Sequence, residues 1–125
     1  MSHWNNSELD AINDADDLKI APFHEDQKTT GTPTWIWEVV VDNNLYVRAY
    51  SGVASRWYQS AIKQKRGKII AAGKTIDVTF DMVDDPHLLE EIDKAYQTKY
   101  SGSPYVSAMV GSRAKAATIR IDKVL

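Results

Sequence analysis

Hydrophobic and polar positions alternate along Leu45 to Tyr50, with Leu45, Val47 and Ala49 on one face and Tyr46, Arg48 and Tyr50 on the other. Just ahead, Trp35 to Val41 is aromatic and β-branched, and Asp42-Asn43-Asn44 supplies a compact turn. Together these runs predict a β-hairpin. Ile76, Val78 and Phe80 alternate with Asp77, Thr79 and Asp81, the pattern of a half-buried strand over Lys74 to Met82. A second strand, Lys68 to Ala72, meets it at Gly73. Leu18 to Ala21 reads as a short strand ended by Pro22. Ala117 to Val124 reads as the last one, Ile119 and Ile121 alternating with Arg120 and Asp122.

Helical signals separate these runs. Ser7-Glu8-Leu9-Asp10 has the spacing of a cap followed by acids, and Leu9 and Ile12 form a short apolar stripe, which predicts a helix over Glu8 to Ala15. Ser55 caps a second helix, Arg56 to Arg66, terminated by Gly67; Trp57, Tyr58, Ala61 and Ile62 share one face of it and should pack on the sheet. Asp84-Asp85-Pro86 opens a third, Pro86 to Tyr100, with Leu88, Leu89, Ile92, Ala95 and Tyr96 at helical spacing and Lys94 and Lys99 late, matching the macrodipole. Glu25 to Pro33 is a polar loop with Gly31 and Pro33 as turn formers. The pattern predicts one α+β domain over residues 1–125, of about six strands and two or three helices.

Composition narrows the chemistry. With 43% hydrophobic and 26% charged residues the chain has the makings of a packed core. It holds no cysteine, which excludes a disulfide framework, a thiol nucleophile and cysteine-ligated zinc or iron–sulfur sites. The start, Met1-Ser2-His3-Trp4-Asn5-Asn6, is polar, and the longest apolar stretch lies around Val39-Val40-Val41, so neither a signal peptide nor a membrane span is expected. A cytoplasmic protein without a membrane partner is the expectation.

Charge is segregated beneath the net value of −2. Met1 to Leu45 carries two basic residues and nine acids. Tyr46 to Lys74 carries seven basic residues and no acid; the remainder has six basic and eight acidic residues. Such a segment should focus positive potential and favour an anionic ligand. The best candidate is an anion pocket around Arg48, Ser51, Ser55 and Arg56, where Ser51-Gly52 offers turn N–H groups and Ser55 begins a helix. Arg48 suits bidentate phosphate contact. The competing reading pairs Arg48 and Arg56 with nearby acids such as Glu38 across the hairpin. Lys63, Lys65, Arg66 and Lys68 form a basic run, but it is short and its ordinary explanation is a solvated helix end; nucleic acid is a disfavoured partner. His3, His24 and His87 are scattered without metal-ligand spacing, so no metal is assigned. Four Trp and six Tyr can line a pocket for a flat ligand, or pack a core or a dimer.

Several runs carry a family resemblance: Trp35 to Gly52, Arg56-Trp57-Tyr58-Gln59-Ser60-Ala61, Gly67-Lys68-Ile69, Ile76-Asp77-Val78-Thr79-Phe80, Ile92 to Tyr100 and Ala117-Thr118-Ile119-Arg120. Over about Leu18 to Val124 the chain resembles the bacterial domain-of-unknown-function family 2255. More distantly it resembles the split-barrel superfamily of flavin- and deazaflavin-dependent reductases, through Gly31-Thr32-Pro33, Ser51-Gly52 and Trp57-Tyr58. Thr34 stands where the deazaflavin nitroreductase branch commonly has Arg, and Ser55-Arg56 replaces the usual Pro before Trp-Tyr. The resemblance implies an FMN-binding split-barrel-like fold that pairs as a homodimer. It also implies a cofactor, FMN or a deazaflavin, whose phosphate lies near Arg48, Ser51, Ser55 and Arg56 and whose ring meets Tyr50 or Trp57. The alternative is a non-enzymatic split-barrel dimer that binds another small anionic ligand or a protein partner.

Overall fold

The computed structural model describes residues 3–124; Met1 and Ser2, read above as part of a polar start, and Leu125 lie outside them. The described chain runs α1 (Asn6–Ala15), β1 (Lys19–Pro22), β2 (Thr34–Trp35), β3 (Glu38–Val41) and β4 (Asn44–Arg48). It continues through a 3-10 turn (Gly52–Ala54), α2 (Arg56–Gln64), β5 (Arg66–Ala71) and β6 (Lys74–Met82). The last elements are α3 (Pro86–Lys99), α4 (Val106–Met109), α5 (Ser112–Lys115) and β7 (Thr118–Lys123). Every strand pairing is antiparallel, in the order β2-β1-β5-β6-β7-β4-β3. The sheet curls into a half-barrel of α+β class. Among the described residues no helix is long and apolar enough to cross a membrane.

Two cores lie on opposite faces of this sheet. The inner one gathers Leu45, Val47 and Ala49 of the hairpin with Ile69, Val78, Phe80, Ile119 and Ile121, and α2 closes it with Tyr58 and Ala61. Trp57 and Ile62 are partly buried against the same core, so the apolar face expected of α2 is the one that packs. The outer core joins Val39 and Tyr46 to Ile92, Tyr96, Tyr100, Met109 and Ala114. Both faces of β4 are therefore covered, and Tyr46 and Arg48 are as buried as Leu45 and Val47.

Local differences from the sequence pattern have physical reasons. The predicted strand Trp35 to Val41 is two strands: Trp35 pairs with Lys19, whereas Glu38 to Val41 pairs with β4 at the far edge of the sheet. The hairpin turn is Asp42-Asn43 alone, both at positive φ (50° and 65°), while Asn44 already pairs with Val41. Asn5, rather than Ser7, caps α1, because its side chain accepts from the Glu8 N–H while Glu8 accepts from the Asn5 N–H, a reciprocal box. Lys65 at φ 62° ends α2, one residue before β5 begins. Gly67 is no terminator: a Cβ there would sit 2.6 Å from the Ala21 carbonyl oxygen and 2.6 Å from Pro22 Cα, so glycine is what lets β1 lie against β5. The stretch between α3 and β7 folds into α4 and α5, and the strands number seven among the described residues rather than about six.

Candidate functional site

One cleft of about 850 Å³ opens at the end of the half-barrel where four stretches of chain converge. The α1–β1 junction brings Asp16 and Asp17; the β2–β3 link brings Thr34, Trp35, Ile36 and Trp37. The segment after β4 brings Tyr50, Ser51, Ser55 and Trp57, and α4 brings Tyr105 and Met109. Apolar and aromatic surface dominates its walls. Trp35 (72% exposed), Tyr50 (47%) and Tyr105 (61%) form the rim. Tyr50 and Tyr105 meet edge to face at 6.3 Å.

Of the six residues singled out from the sequence, Arg48, Tyr50, Ser51, Ser55 and Trp57 line this cleft, and Arg56, exposed on α2, does not. Arg48 reaches it only at the floor. The residue is 1% exposed, and each of its guanidinium nitrogens is hydrogen-bonded. Nε donates to Thr118 Oγ1 (2.9 Å), Nη1 to Asp93 Oδ1 (2.5 Å) and the Met109 carbonyl (3.0 Å), and Nη2 to the Leu89 carbonyl (3.1 Å). Neither the phosphate clamp nor the pairing with Glu38 describes it, because Asp93 arrives from α3 and takes the charge. The positive potential expected of the middle segment is also dispersed: Lys63 pairs with Glu25 (3.0 Å) and Lys68 with Asp77 (2.6 Å). The charged side chains that line the cleft besides Arg48 are Asp16 and Asp17.

A basic group missed in the sequence does reach the rim. Arg113 of α5 lays its guanidinium 5.7 Å from the Tyr50 ring centroid. Gly52, at φ 79°, makes room for it, since a Cβ there would lie 2.6 Å from Arg113 Cγ. Nothing in a lone Arg within Gly111-Ser112-Arg113 marks it as near Tyr50.

Behind Trp37 lies a second missed group. The Trp37 and Tyr100 rings stack at 4.0 Å, nearly parallel. Tyr100 Oη lies 2.6 Å from Asp16 Oδ1 and 3.2 Å from Glu38 Oε2, and accepts from the Glu38 N–H at 3.3 Å. Asp16 reaches this position because it caps α1 in the left-handed region (φ 48°), which aspartate tolerates better than most residues. Burial pushes the Glu38 carboxyl up to about 7, the nearby Lys99 ammonium only partly opposing it. Burial likewise raises the Tyr100 phenol above its ordinary range, with its hydrogen bond to Asp16 adding to the effect. Lys99 Nζ stands 3.4 Å from Glu38 Oε1 and 3.5 Å from Asp16 Oδ1.

Similarity to known proteins bears on family and fold. Among curated proteins no sequence match is found. The fold is similar to the crystal structure of conserved hypothetical protein Rv2991 from Mycobacterium tuberculosis, with a TM-score of 0.64 at 14% identity, over 99% of this chain and 81% of that one. The sequence profile of a bacterial family matches residues 8–121, nearly the whole half-barrel, and the chain therefore belongs to DUF2255, described as uncharacterized protein conserved in bacteria.

Proposed function

We propose that the cleft holds a flat, conjugated ligand with an anionic arm, of the flavin- or deazaflavin-nucleotide class, on a half-barrel of the split-barrel type. The observation that carries this reading is the volume of about 850 Å³ walled by Trp35, Trp37, Tyr50 and Trp57. Small-molecule sites are concave, mostly apolar and on the order of 300–1,000 Å³, with a few polar groups that orient the ligand. The ring fits these walls. The arm fits only without Arg48; its contacts fall to the Ser51 and Ser55 hydroxyls, the free N–H groups in the first turn of α2 and the Arg113 guanidinium. When bound, such a cofactor supplies hydride chemistry, and the chain supplies the slot, the arm contacts and shelter from water. The homodimer implied by the resemblance belongs to the same proposal: Trp35 and Tyr105 stand exposed at the mouth, where a second copy would cover them.

Thermal unfolding of the purified protein with FMN and with a deazaflavin cofactor tests this. The expected result is a dose-dependent rise in Tm that Trp57→Ala and Arg113→Ala each diminish. No shift with either cofactor at saturation ends the redox reading. It would leave the second one, a non-enzymatic split-barrel dimer for another small anion or a protein partner. Exposed Trp35 and Tyr105 favour its protein partner, and the carboxylates of Asp16 and Asp17 inside the cleft count against a small anion.

A further inference from the structure

Glu38 exposes no surface, and its Oε1 accepts no hydrogen bond among the described residues. Its Oε2 touches the outside world through Tyr100: 3.2 Å to the phenol oxygen, then 2.6 Å to Asp16 Oδ1. The Asp16 side chain is 45% exposed and lines the aromatic cleft. A buried carboxyl, a phenol and a cleft carboxyl are thus joined by contacts short enough for hydrogen bonds throughout. Tyr100 is fixed for the task. Its ring is stacked on Trp37 and its oxygen accepts from the Glu38 N–H; of the acceptors within reach of its own proton, Asp16 Oδ1 at 2.6 Å is nearer than the Glu38 carbonyl at 3.1 Å or Oε2 at 3.2 Å.

We propose that Glu38, Tyr100 and Asp16 form a proton path from a buried carboxyl to the cleft, whose ligand is a conjugated molecule that gains a proton at oxygen or nitrogen as it reacts. The inference rests on the cleft being a ligand site. In the transfer, the Glu38 Oε2 proton moves to Tyr100 Oη while the phenol's own proton moves to Asp16 Oδ1. Asp16 passes that proton to the ligand and returns to the carboxylate it was; Glu38 is left as a carboxylate. One proton enters the path and one leaves it. Solvent recharges it through the exposed side of Asp16.

Three features equip the path. Burial keeps Glu38 protonated to about pH 7, so a proton is in store in the working range. Burial also raises the phenol's ionisation, so Tyr100 hands on one proton as it receives another and never stands as phenolate. Lys99 Nζ, nearly equidistant from the two carboxyls at 3.4 and 3.5 Å, is counter-ion to whichever is charged. The remaining ionisable neighbours stand aside. Tyr96 donates to the Trp37 carbonyl, and Arg48, above the Tyr96 ring at 5.5 Å, is held by Asp93.

Carboxyl carbon-13 NMR of the full chain, labelled at Asp and Glu and followed from about pH 4 to 9, tests the path without any ligand. The expected result is a Glu38 resonance that titrates near neutrality and an Asp16 resonance that shows a second step at the same midpoint. Tyr100→Phe should remove most of that second step while Lys99 stays in place. Should Tyr100→Phe fold poorly, Lys99→Met decides: the step must persist without the ammonium, and its loss would assign the coupling to Lys99. A Glu38 that titrates like a solvent-exposed carboxyl overturns the path. So does an Asp16 step that survives Tyr100→Phe at full amplitude, which would assign the coupling to Lys99 alone. Because no cofactor enters the measurement, coupled carboxyls in a protein that does not bind FMN keep the path and remove the flavin reading. FMN binding with uncoupled carboxyls does the reverse.

Discussion

Arg48 Nη1 lies 2.5 Å from Asp93 Oδ1 inside the outer core, and that ion pair turns a candidate ligand clamp into a strut. The same carboxylate accepts Lys115 Nζ at Oδ2 (2.7 Å), so β4, α3 and α5 are tied at one point beneath the cleft floor. Removing the acid strands a buried guanidinium, which costs about 3–5 kcal/mol. Replacing Arg48 by an apolar side chain leaves Asp93 paired with Lys115. Asp93→Ala should therefore destabilise the protein more than Arg48→Met does, by about 2 kcal/mol or more in urea denaturation. Equal losses would mean that Arg48 is not a buried, committed charge.

Why Arg48 misled the sequence reading is a matter of distance along the chain. That Tyr50, Ser51, Ser55 and Trp57 would line one cleft was legible because they fall within eight residues of each other, around a strand end and a helix start. Asp93 comes from a helix 45 residues away, and no local pattern records that contact. The same limit hid Asp16, Trp37 and Tyr105 in the cleft and Arg113 beside Tyr50, each placed there by packing. Elements with strong local chemistry were legible. Asp85 and Pro86 start α3, and alternation along Ile76, Val78 and Phe80 marks β6. The division of Trp35 to Val41 between two sheet edges was not, since partner choice is non-local. The four-residue helices α4 and α5 are too short to show a period.

Glu38 predicts a pH dependence with a definite sign. Its folded value, about 7, lies above the ordinary 4.5, so the folded state binds the proton more tightly. The stability it contributes is fully present below about pH 4.5 and is lost as pH rises through 7. The difference is on the order of 3 kcal/mol. Glu38→Gln, which cannot ionise, should gain on the wild type between pH 5 and 8, seen as converging or crossing Tm values. Parallel Tm curves for the two proteins across that range would place Glu38 in a solvated setting.

Gly67 predicts a packing failure. An added methyl would meet the Ala21 carbonyl oxygen and Pro22 Cα, each at 2.6 Å, and Phe80 at 3.0 Å. Two of the three are backbone and cannot rotate away. Gly67→Ala should cost about 2 kcal/mol, as overpacking typically does. Gly102→Ala, with nothing within 4 Å, is the control and should change stability little.

Ala72 predicts the opposite. It occupies φ 51° in the turn between β5 and β6, a left-handed conformation that costs an L-residue about 1 kcal/mol. Asp17 Oδ1 accepts from its N–H at 3.0 Å and pins the turn there. Ala72→Gly keeps that bond and relieves the strain, so a gain of about 0.5–1 kcal/mol is expected from denaturant titration. A loss would show that the entropy of the added glycine outweighs the strain.

The last prediction concerns the open side of β3. As an end strand it would present unpaired N–H and C=O groups, the usual invitation to edge-to-edge association. At Glu38 the C-terminal turn of α3 closes that side: Tyr100 Oη accepts the Glu38 N–H, and Lys99 Nζ donates to the Glu38 carbonyl at 3.0 Å. The seal uses the same two side chains that surround the buried carboxyl. Tyr100→Phe keeps the stack on Trp37 but leaves the Glu38 N–H without its acceptor, a loss of about 1–3 kcal/mol for a buried donor. Amide exchange at Glu38 should quicken about tenfold or more, while Val39 and Val41, which face β4, should change far less. Uniform quickening across β3 would mean that the whole strand had loosened and that Tyr100 is no specific seal.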